Sequence, residues 1–92
     1  MKNYVLCEAR HNIPNATDGS IFNNTINPLD VNGLEEIAIA KLNGVDEANI
    51  YVTGLTVALI AVLNASKITG TKITLWHYNR DTDNYYSQEV KF

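Results

Sequence analysis

Apolar positions along the chain fall into short dense runs, separated by polar, turn-rich stretches. Within Asn3 to Arg10, the residues Tyr4, Val5, Leu6 and Cys7 form a continuous apolar run. Such a run predicts a strand covered on both faces. From His11 to Asn27 the chain carries Asn12, Pro14, Asn15, Asp18, Gly19 and Ser20, which predicts a loop. Residues 20–26 leave room in it for a short edge strand. Asn27 can cap a helix, Pro28 fits its first position and Asp30 favours its first turn. Val31, Leu34, Ile37, Ala38 and Leu42 then recur at helical spacing, with Glu35, Glu36 and Lys41 left for the other side. Asn43-Gly44 is a stop signal.

The second half repeats the alternation of strand and helix. Ile50-Tyr51-Val52 is a β-rich run leading into Thr53-Gly54-Leu55-Thr56. The strongly apolar segment that follows, ending at Lys67, is too long for one strand and rich in alanine. It predicts a helix buried on most of its circumference. After the turn at Thr69-Gly70-Thr71, residues Lys72 to Tyr78 alternate. Ile73, Leu75 and His77 take one face, and Lys72, Thr74, Trp76 and Tyr78 the other. A polar turn over 79–84 and a β-rich run from Tyr85 to Phe92 complete a hairpin. The expected fold is α/β, a small Rossmann-like open sheet. Its order is β-α-β-α-β-β, with right-handed parallel crossovers and a C-terminal antiparallel hairpin. An added strand at 20–26 would move the topology towards a ferredoxin-like sandwich.

Length makes 1–92 a single domain, since domains commonly run to roughly 100–150 residues. With 46% hydrophobic and 18% charged residues the composition is that of a globule rather than a disordered chain. Association into a homodimer or higher homo-oligomer is a natural way for so small a domain to gain stability. The formal net charge of −3 argues against duplex nucleic acid, which needs a basic footprint, but leaves room for a small anion. No apolar run reaches the ~20 residues that a membrane helix needs, so no membrane partner is expected. The start, Met1-Lys2-Asn3-Tyr4, lacks a secretory signal pattern, and a cytoplasmic location is the expectation. Cys7 is the only cysteine, which excludes an intrachain disulfide and reads as a buried hydrophobe.

Chemistry is expected beyond the carboxyl ends of the parallel strands, where ligands of open α/β sheets bind. The only arginines, Arg10 and Arg80, and the only histidines, His11 and His77, all fall at those predicted ends. Guanidinium groups grip phosphate oxygens in pairs. The turn Thr53-Gly54-Leu55-Thr56 would offer backbone N–H groups at a helix start, and Gly54 would let a phosphate approach. Arg10, Thr53, Gly54, Thr56, Asn79 and Asp81 are therefore the candidate ligand-binding residues. His77, His11 and Arg80 are the candidate catalytic groups, the histidines as acid or base. Each has a plainer reading: a simple turn at Gly54, solvated or ion-paired arginines, and a hydrogen-bonded structural His77. No HxH, HxxxH or CxxC spacing supports a metal, and no cofactor is implied. Trp76, Tyr78, Tyr85 and Tyr86 can stack on a base, though cross-strand aromatic pairs more commonly stabilise sheets.

The segments IYVTGLTVALIAVLNAS and ITLWHYNRDTDNYYSQEV, within Ile50–Val90, resemble the small CRISPR-associated ring nucleases. The resemblance implies binding of a cyclic oligonucleotide second messenger across a homodimer in antiviral defence, with or without metal-independent phosphodiester cleavage. It would make Thr53, Gly54 and Thr56 the phosphate-facing turn, with Arg80 and Asp81 as the hairpin charges. The family's helix carries a histidine, whereas this chain has Val57-Ala58-Leu59-Ile60-Ala61. That departure bears on cleavage more than on binding. The alternatives are a non-catalytic sponge for the same ligand, or a protein-interaction module of a small homo-oligomer.

Overall fold

Alternation in the strands sorts the side chains into two sets, and the two helices cover only one of them. The computed structural model describes residues 1–8 and 13–92. Its elements are β1 (Lys2–Cys7), β2 (Ser20–Phe22), α1 (Val31–Leu42), β3 (Glu47–Tyr51), α2 (Thr56–Thr69), β4 (Lys72–Asn79) and β5 (Asn84–Glu89). They form one five-stranded mixed sheet in the order β2-β1-β3-β4-β5. β2, β1, β3 and β4 are mutually parallel, and β5 runs antiparallel to β4. The fold is thus α/β with two helices, as expected.

Tyr4, Leu6, Ala48, Ile50, Ile73 and Leu75 point to one face of the sheet. They share a single buried cluster with Leu34, Ala38 and Leu42 of α1 and Ala58, Ala61, Val62 and Ala65 of α2. Crossovers β2–α1–β3 and β3–α2–β4 both advance the same way across the sheet. Right-handed connections therefore place both helices on the same side, packed against each other. Small alanines on α2 allow that close approach. The opposite face carries Asn3, Val5 and Cys7 of β1, Asn49 and Tyr51 of β3, Thr74, Trp76 and Tyr78 of β4, and Tyr85 of β5. Neither helix covers it.

Three local details differ from expectation. β2 is a real strand, so the order begins β-β-α rather than β-α. It pairs parallel with β1, Val5 opposite Ser20 and Cys7 opposite Phe22, whereas a ferredoxin-like sandwich has an antiparallel sheet. β1 ends at Cys7, short of Arg10. Helix α1 starts three residues beyond Pro28. The side chain of Asn27 accepts the Leu29 N–H in a local turn, and Asp30 becomes the cap by accepting the Gly33 N–H at 3.0 Å. Val31, assigned to the apolar stripe, is consequently 55% exposed.

Candidate functional site

The carboxyl ends of the parallel strands bring together Cys7, the turn Thr53–Thr56 and the start of the β4–β5 hairpin. The Val52 N–H donates to the Trp76 carbonyl at 2.9 Å, which sets Thr53-Gly54 level with Tyr78-Asn79. Arg10 and His11, the other expected members, lie outside the described residues.

Thr53 ties two strands together. Its hydroxyl donates to the Cys7 carbonyl at 2.7 Å and accepts the Cys7 N–H at 3.2 Å. That closes the gap where β1 and β3 diverge, and it spends the hydroxyl on the backbone rather than on solvent. Gly54 has φ +79, a left-handed conformation that favours glycine, and a Cβ there would sit 3.0 Å from both Cβ and Sγ of Cys7. The turn is thus pressed onto the end of β1. Helix α2 then begins at Thr56, which is exposed, with Leu55 as a cap that supplies no side-chain hydrogen bond.

Cys7 lies beneath this turn. Partial burial pushes its thiol above the ordinary range, and a hydrogen bond with the Leu55 backbone only partly offsets that. Because the folded thiol holds its proton more tightly, its contribution to stability is present below the ordinary thiol pKa. That contribution is lost as pH rises through the folded value. At about pH 8, near the ordinary thiol range, iodoacetamide is expected to modify Cys7 more slowly than it modifies a free cysteine. The measurement is alkylation followed by mass spectrometry, and an equal or faster rate would show an activated thiolate.

His77 points to the helix side, half-buried. Its Nε2 lies 2.9 Å from Oε1 of Gln88, and its ring packs at 5.3 Å on Tyr86 across the hairpin. Arg80 and Asp81 are exposed in the hairpin turn, and Asn79 Oδ1 accepts the Asp81 N–H at 3.0 Å. The structure therefore groups Thr53, Gly54 and Thr56 with Asn79 and Arg80 at one edge, and gives the His77 imidazole a cross-strand partner.

The helix-free face holds features that patterning did not single out. Asn49 bridges the sheet, its Nδ2 donating to Asn3 Oδ1 at 2.8 Å and its Oδ1 accepting from Trp76 Nε1 at 3.0 Å. Tyr51 stacks on Trp76 at 5.9 Å and meets Tyr85 edge-on at 5.2 Å. Tyr85 in turn packs edge-on against Tyr78 at 5.5 Å. The aromatic row ends at Tyr78, which is 49% exposed. The hydrogen bond to Asp83 raises the Tyr78 phenol above its usual range, with Arg80 pulling weakly the other way. Trp76, Tyr78 and Tyr85 were legible in the sequence as cross-strand aromatic pairs, whereas the Asn3–Asn49–Trp76 bridge joins residues far apart in the chain.

Among the described residues no group of acidic, cysteine and histidine side chains is arranged to hold a metal ion. No described helix is long and apolar enough to cross a membrane. Compared with known proteins, the chain matches no family model, no curated protein and no solved structure. Fold and edge together define a two-layer α/β protein with a half-open sheet.

Proposed function

We propose that the chain is a binding module for a small nucleotide-type anion, such as a cyclic oligonucleotide, and that it holds this ligand rather than cutting it. The observation that carries the reading is the strand order β2-β1-β3-β4-β5. In this Rossmann-like reading the chain leaves β1 in one direction and returns past it to β3 in the other. The switch point therefore lies between β1 and β3, where ligands of open α/β sheets bind beyond the carboxyl ends. The turn Thr53-Gly54-Leu55-Thr56 stands at that point. Its amides and the Arg80 guanidinium suit phosphate oxygens, and the exposed Tyr78 ring suits a base.

Holding is favoured over cutting because no unpartnered imidazole stands at the described part of the edge. His77 is engaged with Gln88, and the first turns of α2 present Val57, Ala58, Leu59, Ile60 and Ala61. The natural setting for such a module is a cytoplasmic homo-oligomer that sequesters a second messenger, as in antiviral defence.

Calorimetry with cyclic oligoadenylates of several ring sizes, and with linear adenosine phosphates, tests the reading. Chromatography of the recovered nucleotide accompanies it. The expected result is binding of at least one nucleotide with the nucleotide recovered intact. Arg80→Ala should weaken that binding by about tenfold or more, the loss of one charge-assisted contact. Absence of heat for every nucleotide would overturn binding, and accumulation of product would overturn passive holding.

A further inference from the structure

We infer that the outer edge of β5 is a self-association surface, on which a second copy of this chain adds its own β5 antiparallel and continues the sheet. The sheet has two edges, and among the described residues only one is protected. β2 is three residues long, too short to template another strand. β5 runs Asn84–Glu89 in unbroken one-to-one register with β4, without proline or bulge, and Glu89 is its only charged residue. Natural edge strands normally carry lysine, proline or a bulge to prevent pairing.

The hydrogen-bond phase identifies the outward groups. The Val90 N–H donates to the Ile73 carbonyl at 3.0 Å, so Ile73 and Val90 form a hydrogen-bonded pair. Alternation makes Leu75–Gln88 and His77–Tyr86 hydrogen-bonded pairs as well. Tyr85, Ser87 and Glu89 therefore direct their backbone N–H and C=O away from β4, at the free edge.

A two-fold axis must pair β5 with itself, and charge selects the register. Centring on Tyr86 would set Asp83 opposite the partner's Glu89, two acids. Centring on Ser87 brings the hairpin turn that carries Asp83, φ +52, next to the partner's Lys91 just beyond the strand end, twice by symmetry, and places Ser87 opposite Ser87 of the partner subunit. The same operation keeps both helix layers on one side of the joined sheet. It also sends the two Thr53–Thr56 edges to opposite ends, so each copy carries its own carboxyl edge rather than sharing one across the interface. This inference does not depend on which ligand that edge takes.

Sedimentation of the full chain at tens of micromolar is expected to give twice the 10.2 kDa chain mass. Ser87→Pro removes an outward N–H and leaves the β4 ladder intact, so it should weaken the dimer by about tenfold or more with unchanged circular dichroism. Ser87→Cys should form an interchain disulfide under mild oxidation, because hydrogen-bonded antiparallel pairs sit about 5.5 Å apart at Cα, within disulfide reach. Gln88→Cys should not. If Ser87→Pro unfolds, the cross-link and a weakened dimer in Lys91→Glu decide the matter. A monomer overturns the inference, whether or not the edge accepts some other strand. A dimer that ignores Ser87→Pro and Lys91→Glu and gives no Ser87→Cys cross-link also overturns it, and would place the contact on another face.

Discussion

Replacing Phe22 with alanine is expected to remove about 3–5 kcal/mol of stability, the usual cost of deleting a buried aromatic ring. Phe22 is 1% exposed although it sits on a three-residue edge strand. Its register partner is Cys7, so it belongs to the helix-free side, while its neighbour Ile21, 2% exposed, belongs to the helix side with Leu6. Register thus splits the two side chains, yet both belong to the one buried cluster that includes residues of α1 and α2. A domain of this size has about 5–15 kcal/mol of stability in total, so the variant should melt far below the parent. Urea unfolding followed by circular dichroism measures it. A loss below about 1 kcal/mol would mean that β2 is not an integral strand.

Gly54→Val is expected to cost roughly 2–5 kcal/mol, from two separable sources. A left-handed backbone charges any branched residue about 1–2 kcal/mol, and crowding Cys7 adds about 1–3 kcal/mol of overpacking strain. Gly44 provides the control. Its φ is +78, but a Cβ there would meet nothing within 4 Å, so Gly44→Val should show the backbone cost alone. If both variants lose the same stability, the contact between turn and β1 contributes nothing. The Gly54→Val protein should also bind nucleotide more weakly, since the same turn would carry the phosphate.

Patterns that repeat were legible in the sequence, and patterns that depend on distant partners were not. The helix over Thr56–Thr69 was plain because its apolar residues continue too far for a strand, and Ala58, Ala61, Val62 and Ala65 are indeed buried. The β4–β5 hairpin was plain because Lys72 to Tyr78 alternates without a fault. β2 gave only a faint signal, since Ser20-Ile21-Phe22 is too short for any period to build up. The start of α1 lies three residues beyond the sequence signal because Asn27 and Asp30 are both good caps, and only the fold decides which accepts a helical N–H.

The sequence carries the outline of the edge. Strand order follows from the crossovers, so the meeting of Thr53–Thr56 with Asn79-Arg80 could be anticipated. The engagement of the Thr53 hydroxyl with the backbone of Cys7 could not, because the two lie 46 positions apart. The pairing of His77 with Gln88 depends on the exact hairpin register and was equally hidden, although a structural histidine was the plainer of its two readings. The contact of Gly54 with Cys7 was hidden for the same reason, and it accounts for that glycine by packing alone.

Backbone amide chemical shifts during titration of the labelled chain with a cyclic oligoadenylate provide the most direct check. The predicted shifts concentrate at Thr53–Thr56 and Tyr78–Asp81, beyond the β1–β3 switch point. Shifts confined to the opposite edge, around Lys2, Glu47 and Lys72, or no shifts at saturating nucleotide, would contradict it.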